Sequence, residues 1–402
     1  MRMLPTRRRP GGTARRVSSL RVMASLALML SVLLVACSDG EDDPAPTTTA
    51  EATTATSEAT ATSTTEASPT TEASGDELRL QPRPGTELGA PAVPAPQPGP
   101  DGATTFASIE EQYEGLGTDA AAGEFPRTVR HAMGETTLEA RPQRVVVLDS
   151  TELNAVVEMG VIPVGYAETA AGTLPDYLSD ALADATKVGS ISEPDLEAIA
   201  ALQPDLILSN KGRHEALYGQ LSAIAPTVYA PSGGISWRQA FELYAVTVGA
   251  EEEAAATVAE YEDRVRVLNA QLPAERPSVS LVRVRDDGLR YYLRVNFAAT
   301  LLDDLGFPRP EAQNVEDIQV SDMSIETVRD YSDAGLIVLG FDSGPTPEAI
   351  ASVTEDPVWS TLPAIQQGDF IATDTALWYA GTGYSGAHAI VDDIEAHFGI
   401  GG

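Results

Sequence analysis

Apolar residues fall along this chain in two kinds of run. Residues 144–148 (RVVVL) and 205–209 (DLILS) are short, nearly continuous and rich in aliphatics, the pattern of strands buried on both faces of a parallel sheet. Between them Leu153, Val156 and Val157 have helical spacing, 161–166 reads as a second strand, and 195–202 as a short helix closed by Pro204. Strands and helices alternating at these lengths predict an α/β sheet. The pattern restarts after Pro277, with strands over 279–284 and 291–295, helices over 297–305 and 325–331, a strand over 336–340 and a final helix near 387–398.

Residues 251–272 separate the halves and contain neither Gly nor Pro. Their core-type positions, Ala254, Val258, Tyr261, Val265, Leu268 and Leu272, alternate in steps of four and three, which gathers them on one helical face. At ~1.5 Å per residue this helix is a rod of about 33 Å. The expectation is a two-lobed clamp: α/β lobes over 125–248 and 277–402, joined by a single long helix within 249–273. One larger α/β domain is the alternative.

A repeat links the halves. Leu196-Glu197-x-Ile199-x-x-Leu202 leads into Pro204-Asp205-Leu206-Ile207, and Ile325-Glu326-x-Val328-x-x-Tyr331 leads, one residue longer, into Leu336-Ile337. Each half places a Glu in the first turn of a short helix that feeds a buried strand. Such an acid stabilises its own helix through the macrodipole. A matched pair on matched lobes also suits two docking points.

The first hundred residues differ in character. Bases up to Arg21 precede the apolar run 22–36, which ends in Leu34-Val35-Ala36-Cys37. A charged segment, an apolar segment and small residues before a cleavage point make a secretory signal over 1–36. The run is short of the ~20 apolar residues that a spanning helix needs. A single Cys at the cleavage point resembles a bacterial lipobox, which implies diacylation of Cys37 and an anchor on the outer face of the cell membrane. Residues 37–105 then form a disordered stalk. Within it 47–71 is mostly Thr, Ala, Ser and Glu, and 82–100 is rich in Pro and Gly, compositions that bury too little apolar surface to order themselves. Seven of the 26 bases precede Cys37, so 19 bases face 59 acids from there onward. A surface that acidic repels phosphate backbones and excludes a general nucleic-acid binder.

Several stretches recur in a recognisable order. Phe125-Pro126-x-Thr128-Val129 and Arg141-Pro142-x-Arg144-Val145-Val146 come first, then Val188-Gly189-Ser190, Glu193-Pro194-x-Leu196-Glu197-x-Ile199 and Ile224-Ala225-Pro226-Thr227-Val228. Leu305-Gly306-Phe307, Met323-Ser324-Ile325-Glu326 and Trp359-x-x-Leu362-Pro363-Ala364 follow. Together they resemble the iron-siderophore and cobalamin substrate-binding proteins of ABC importers, in the periplasmic binding protein family. The resemblance implies two α/β lobes with a ligand cleft between them. It implies a monomer that captures a ferric siderophore outside the cytoplasm and delivers it to a permease dimer, with no cofactor and no metal shell of its own. Haem or cobalamin are alternative ligands, and a cell-surface adhesion or scaffold protein is the alternative of another class. In the family one Glu per lobe pairs with permease arginines, a role that falls here on Glu197 and Glu326.

A ferric siderophore arrives chelated and often anionic, so its binder needs fixed cations and aromatic faces, which arginine suits. Arg283, Arg285, Arg290 and Arg294 crowd one short stretch. Arg283 and Arg285 share a face at a strand end, where open α/β folds place ligands. Arg283, Arg285 and Arg294 are candidates for ligand binding, with surface pairing to Asp286, Asp287 and neighbouring acids as the alternative. Lys211 and Arg213 follow the 205–209 strand of the other lobe, where the resemblance places a ligand-contacting Arg. Trp378 and Tyr379 precede a Gly-rich turn. The resemblance puts an aromatic cleft residue there; the alternative is an aromatic pair packing the last helix on its sheet. Trp359 is assigned to the core. His131, His214, His388 and His397 are scattered, so no metal site is expected. Neither a Gly-x-Ser-x-Gly elbow nor a His-Glu-x-x-His motif is present, so no enzyme is expected.

Overall fold

The two apolar runs become central strands of two five-stranded sheets. The structure is a computed structural model that describes residues 85–99, 106–168, 174, 176–380 and 382–401, all within the unit Thr71–Gly402. Cys37, the signal segment and most of the stalk lie outside these residues. A hairpin, β1 (Arg127–His131) with β2 (Gly134–Leu138), opens the fold. The first sheet holds β3 (Val145–Val147), β4 (Gly165–Glu168), β5 (Thr186–Ser190), β6 (Leu206–Asn210) and β7 (Thr227–Ala230) in the order β5-β4-β3-β6-β7, all parallel. The second holds β8 (Val279–Arg285), β9 (Gly288–Tyr292), β10 (Gln319–Met323), β11 (Leu336–Phe341) and β12 (Phe370–Asp374) in the order β10-β9-β8-β11-β12. There β8, β11 and β12 are parallel, and β9 runs antiparallel between β8 and β10. In both sheets the lobe's first strand is central and the chain later crosses to its other side. The switch points therefore lie between β3 and β6 and between β8 and β11.

The helix Glu251–Gln271 joins the lobes, and all six expected core positions are buried, Leu272 lying just past its end. Through them one apolar cluster runs from Val145 and Val147 past Val258 and Val265 to Val279 and Leu281. Val282, Ile337, Leu339 and Trp359 fill a second cluster on the far face of the second sheet, as expected for Trp359. The helix Trp237–Val248, which the periodicity did not reveal, is buried almost all round and packs on the helix Ser150–Glu158.

Residues 85–99 correct the expected extent of the stalk. Leu88 enters the shared core, and its carbonyl accepts a hydrogen bond from Asn269 Nδ2 at 3.3 Å. Gln97 exchanges backbone hydrogen bonds of 2.8 Å with Asn314 and Glu316. Proline limits the freedom of the unfolded chain, so one buried Leu and a few backbone bonds hold this segment against the second lobe.

Candidate functional site

In the first lobe, β3 and β6 end beside a buried polar cluster. Asp149 caps the helix Ser150–Glu158, accepting from the Ser150 amide at 2.6 Å. Its Oδ2 accepts from Asn210 Nδ2 at 3.1 Å and from Arg213 Nε at 3.0 Å. Asn210 Oδ1 accepts from the Arg213 amide at 3.0 Å, so Asn210 holds the backbone of Arg213 while Asp149 holds its head. Deeper in, Glu152 Oε1 accepts from Asn210 Nδ2 at 3.1 Å and from the Tyr244 hydroxyl at 2.8 Å, while its buried Oε2 has no hydrogen-bond partner. Burial first, and the Asp149 charge second, push the Glu152 carboxyl up to about 7. Arg213 stands at the solvent end of this cluster with 59% of its side chain exposed. Lys211, also exposed, lies 3.6 Å from Glu215 in a surface pair of the kind that contributes little.

In the second lobe Arg283 and Arg285 continue the side-chain row of Val279 and Leu281, which faces the core shared with the first lobe. Across the ladder Arg290 is the register partner of Arg283, so three guanidinium groups share one sheet face at the β8–β11 switch point. Like charges directly opposite each other destabilise a strand pair. Carboxylates offset this in part: Arg283 Nε reaches Asp342 at 2.5 Å and Arg285 Nε reaches Asp287 at 3.0 Å. Burial alone would lower the Arg283 pKa, but Asp342 and the Tyr292 hydroxyl outweigh it and hold it above its ordinary value. Arg290 Nε is buried without a hydrogen-bond partner. The reading from sequence left Arg290 out of the candidates, and the strand register sets it on the same face as Arg283.

Three expected contacts are corrected. Arg294 is buried, with Nη2 2.8 Å from Asp303 and Nη1 donating to Asn314 Oδ1 at 3.2 Å. It follows the end of β9, whose antiparallel course carries the chain away from the switch point. Trp378 is buried completely, and its indole N–H donates to Asp393 of the helix Tyr384–Phe398 at 2.7 Å, so it packs the last helix on the sheet. Tyr379 is also buried. Its ring stacks on Tyr292, with centroids 4.2 Å apart, and its hydroxyl donates to the Val338 carbonyl at 3.2 Å. A Cβ at Gly340 would meet that ring at 2.3 Å, so only glycine admits it. Tyr379 forms part of the floor under Arg283 and does not project into a cleft.

The lobes meet beside these groups. Thr151 and Thr382 hydroxyls are 3.0 Å apart, and Glu158 Oε1 accepts from the Ser385 amide at 2.6 Å. Burial pushes Glu158 up to about 7 as well. Glu197 and Glu326 are both exposed and occupy equivalent places. Each lies where the chain leaves an edge strand, β5 or β10, at the carboxyl end of its sheet. Asp195, not Glu197, caps the first helix, accepting from the Glu197 and Ala198 amides at 3.0 Å. The histidines are dispersed, and among the described residues no three His, Cys, Asp or Glu side chains are grouped to hold a metal ion.

Two α/β lobes on one connecting helix, each with arginine at its switch point, have the architecture of a two-lobed binding protein. Residues 145–377 match the family described as periplasmic binding protein, and the chain belongs to it. A curated relative, the probable siderophore-binding lipoprotein YfiY of Bacillus subtilis, is 35% identical over 284 residues, covering 68% of this chain and 87% of that protein. The Fe(3+) dicitrate-binding periplasmic protein FecB of Escherichia coli is 28% identical over 279 residues, covering 68% and 91%. Among solved structures, Staphylococcus aureus SirA complexed with staphyloferrin B superimposes with a TM-score of 0.61 at 28% identity, covering 68% of this chain and 98% of SirA.

Proposed function

We propose that this chain is an extracytoplasmic, lipid-anchored binding protein that captures a ferric siderophore and delivers it to an ABC importer. The observation that carries the reading is the face on which Arg283, Arg285 and Arg290 lie together, with Arg213 exposed at the other lobe's switch point. Such a face gains from an anion that bridges its guanidinium forks. The names of the relatives support the same ligand class.

Delivery is assigned to Glu197 and Glu326, one per lobe, as contacts for the two halves of a dimeric permease. Their equivalent exposed positions support this role. The test of ligand class is calorimetric titration of the mature chain with ferric citrate, ferric staphyloferrin B, haem and cobalamin. A ferric chelate is expected to bind. Arg213→Ala and Arg285→Ala are each expected to weaken it about tenfold to a hundredfold, the loss of one charge-assisted contact. Binding of haem or cobalamin alone would replace the ligand class, and two variants that bind like the parent would place the site elsewhere.

A further inference from the structure

The helix Phe106–Tyr113 lies upstream of the residues that match the family. It turns Ile109 and Tyr113, one helical turn apart, into the core. The Tyr113 ring is buried, yet its hydroxyl is directed at a specific turn. It sits 2.8 Å from Ser236 Oγ and 3.4 Å from the Ser232 carbonyl. Ser232 Oγ and Ser236 Oγ are themselves 2.9 Å apart, so the three hydroxyls close the 232–236 turn on itself.

That turn leaves the carboxyl end of β7 and lies against the polar cluster at the first switch point. A Cβ at Gly233 would stand 3.3 Å from Asn210 Nδ2, 3.3 Å from Thr151 Oγ1 and 3.6 Å from Asp149 Oδ2. A Cβ at Gly234 would stand 3.4 Å from the methyl carbon of Thr382 in the second lobe. The turn therefore lies next to the two side chains that orient Arg213, Asp149 and Asn210, and next to both members of the Thr151–Thr382 contact between the lobes, with little room there for a side chain.

We infer that Tyr113 is a positioning residue of the ligand site, fixing through its hydroxyl the 232–236 turn that backs Asp149, Asn210 and the Thr151–Thr382 contact. The inference rests on the reading of Arg213 as a ligand contact. It extends the site to a helix outside the family's matched residues. A displaced turn would remove the backing that Asp149 and Asn210 have on that side and loosen the geometry of Arg213, while the ring alone would still fill the core.

Tyr113→Phe tests this in the full mature chain, since it keeps the ring and removes only the hydroxyl. Amide hydrogen exchange of the ligand-free protein is expected to quicken at 233–237. Affinity for ferric citrate or ferric staphyloferrin B, whichever the parent binds, is expected to fall about threefold to tenfold, the weight of one buried hydrogen bond. Adding Ser236→Ala is expected to cost little more, because both changes remove the same link. Unchanged exchange, or faster exchange with unchanged affinity, overturns the inference; a lower melting temperature with unchanged affinity marks Tyr113 as a packing residue only. If the parent binds neither chelate, the ferric-chelate reading fails, and the exchange measurement still decides whether Tyr113 holds the turn.

Discussion

The two carboxylate oxygens of Glu152 occupy unlike surroundings, one held by Asn210 and Tyr244 and the other buried without a hydrogen-bond partner. Its neighbours are the Asp149 carboxylate, with Arg213 beyond it, and the hydroxyls of Tyr113, Tyr229 and Tyr244. With its carboxyl at about 7 instead of 4.5, the folded protein keeps a proton that the unfolded chain releases. Stability from this group is thus complete below about pH 4.5 and is lost as pH rises toward about 7. The same ionisation adds negative charge behind Arg213, so an anionic chelate binds less tightly on the alkaline side. The dissociation constant for ferric citrate is expected to rise severalfold between about pH 6 and about pH 8, and Glu152→Gln to flatten that rise in calorimetry. An unaltered slope in the variant would assign the titration to another group. At this scale the places of Arg213, Arg283 and Arg285 at or just past a strand end were legible, because that is a local property. The facing of Arg290 and the burial of Arg294, Trp378 and Tyr379 were not, because they depend on residues far away in sequence.

Elements of few residues carry the delivery hypothesis. The helix Leu196–Ala201 and the turn Ile325–Thr327, which the short helix Val328–Ser332 continues, are brief elements, and Asp195 already caps the first. That weakens the view of Glu197 as a helix stabiliser. The Ser324 hydroxyl holds the Glu326 carboxyl below the usual range, which keeps it charged. The double variant Glu197→Arg with Glu326→Arg is expected to abolish siderophore uptake in cells while leaving affinity in solution intact. Normal uptake with a lowered melting temperature would return both acids to the helix role. The repeat that drew attention to them was visible in sequence, and their equivalence rests on topology, since each follows an edge strand. The strand expected at 291–295 shows the opposite case, for β9 spans Gly288–Tyr292. Leu293 and Val295 are buried and apolar but pair irregularly with Ile318 and Asp317. A run of apolar residues identifies burial more surely than hydrogen-bond register.

At the scale of the whole molecule, a lipid on Cys37 is the proposed anchor. Among the described residues no helix is long and apolar enough to cross a membrane. Cys37→Ser is expected to move the protein from the detergent phase of a membrane partition into the soluble fraction, and an unchanged distribution would remove the anchor. A stalk from Cys37 meets the fold earlier than its composition implies, because 85–99 already lies on the second lobe. Taken alone, the sequence determined the two sheets, the connecting helix, the paired Glu residues and the arginine-rich stretch. Apolar periodicity and strand ends follow from backbone geometry over a few residues, so they can be read locally. Only the tertiary structure decided that Arg290 shares a sheet face with Arg283 and Arg285, that Arg294 and Trp378 turn inward, and that Tyr113 of an upstream helix meets Ser236. Those outcomes depend on strand register and on contacts between segments more than a hundred residues apart, such as Tyr113 with Ser236, which no local pattern encodes.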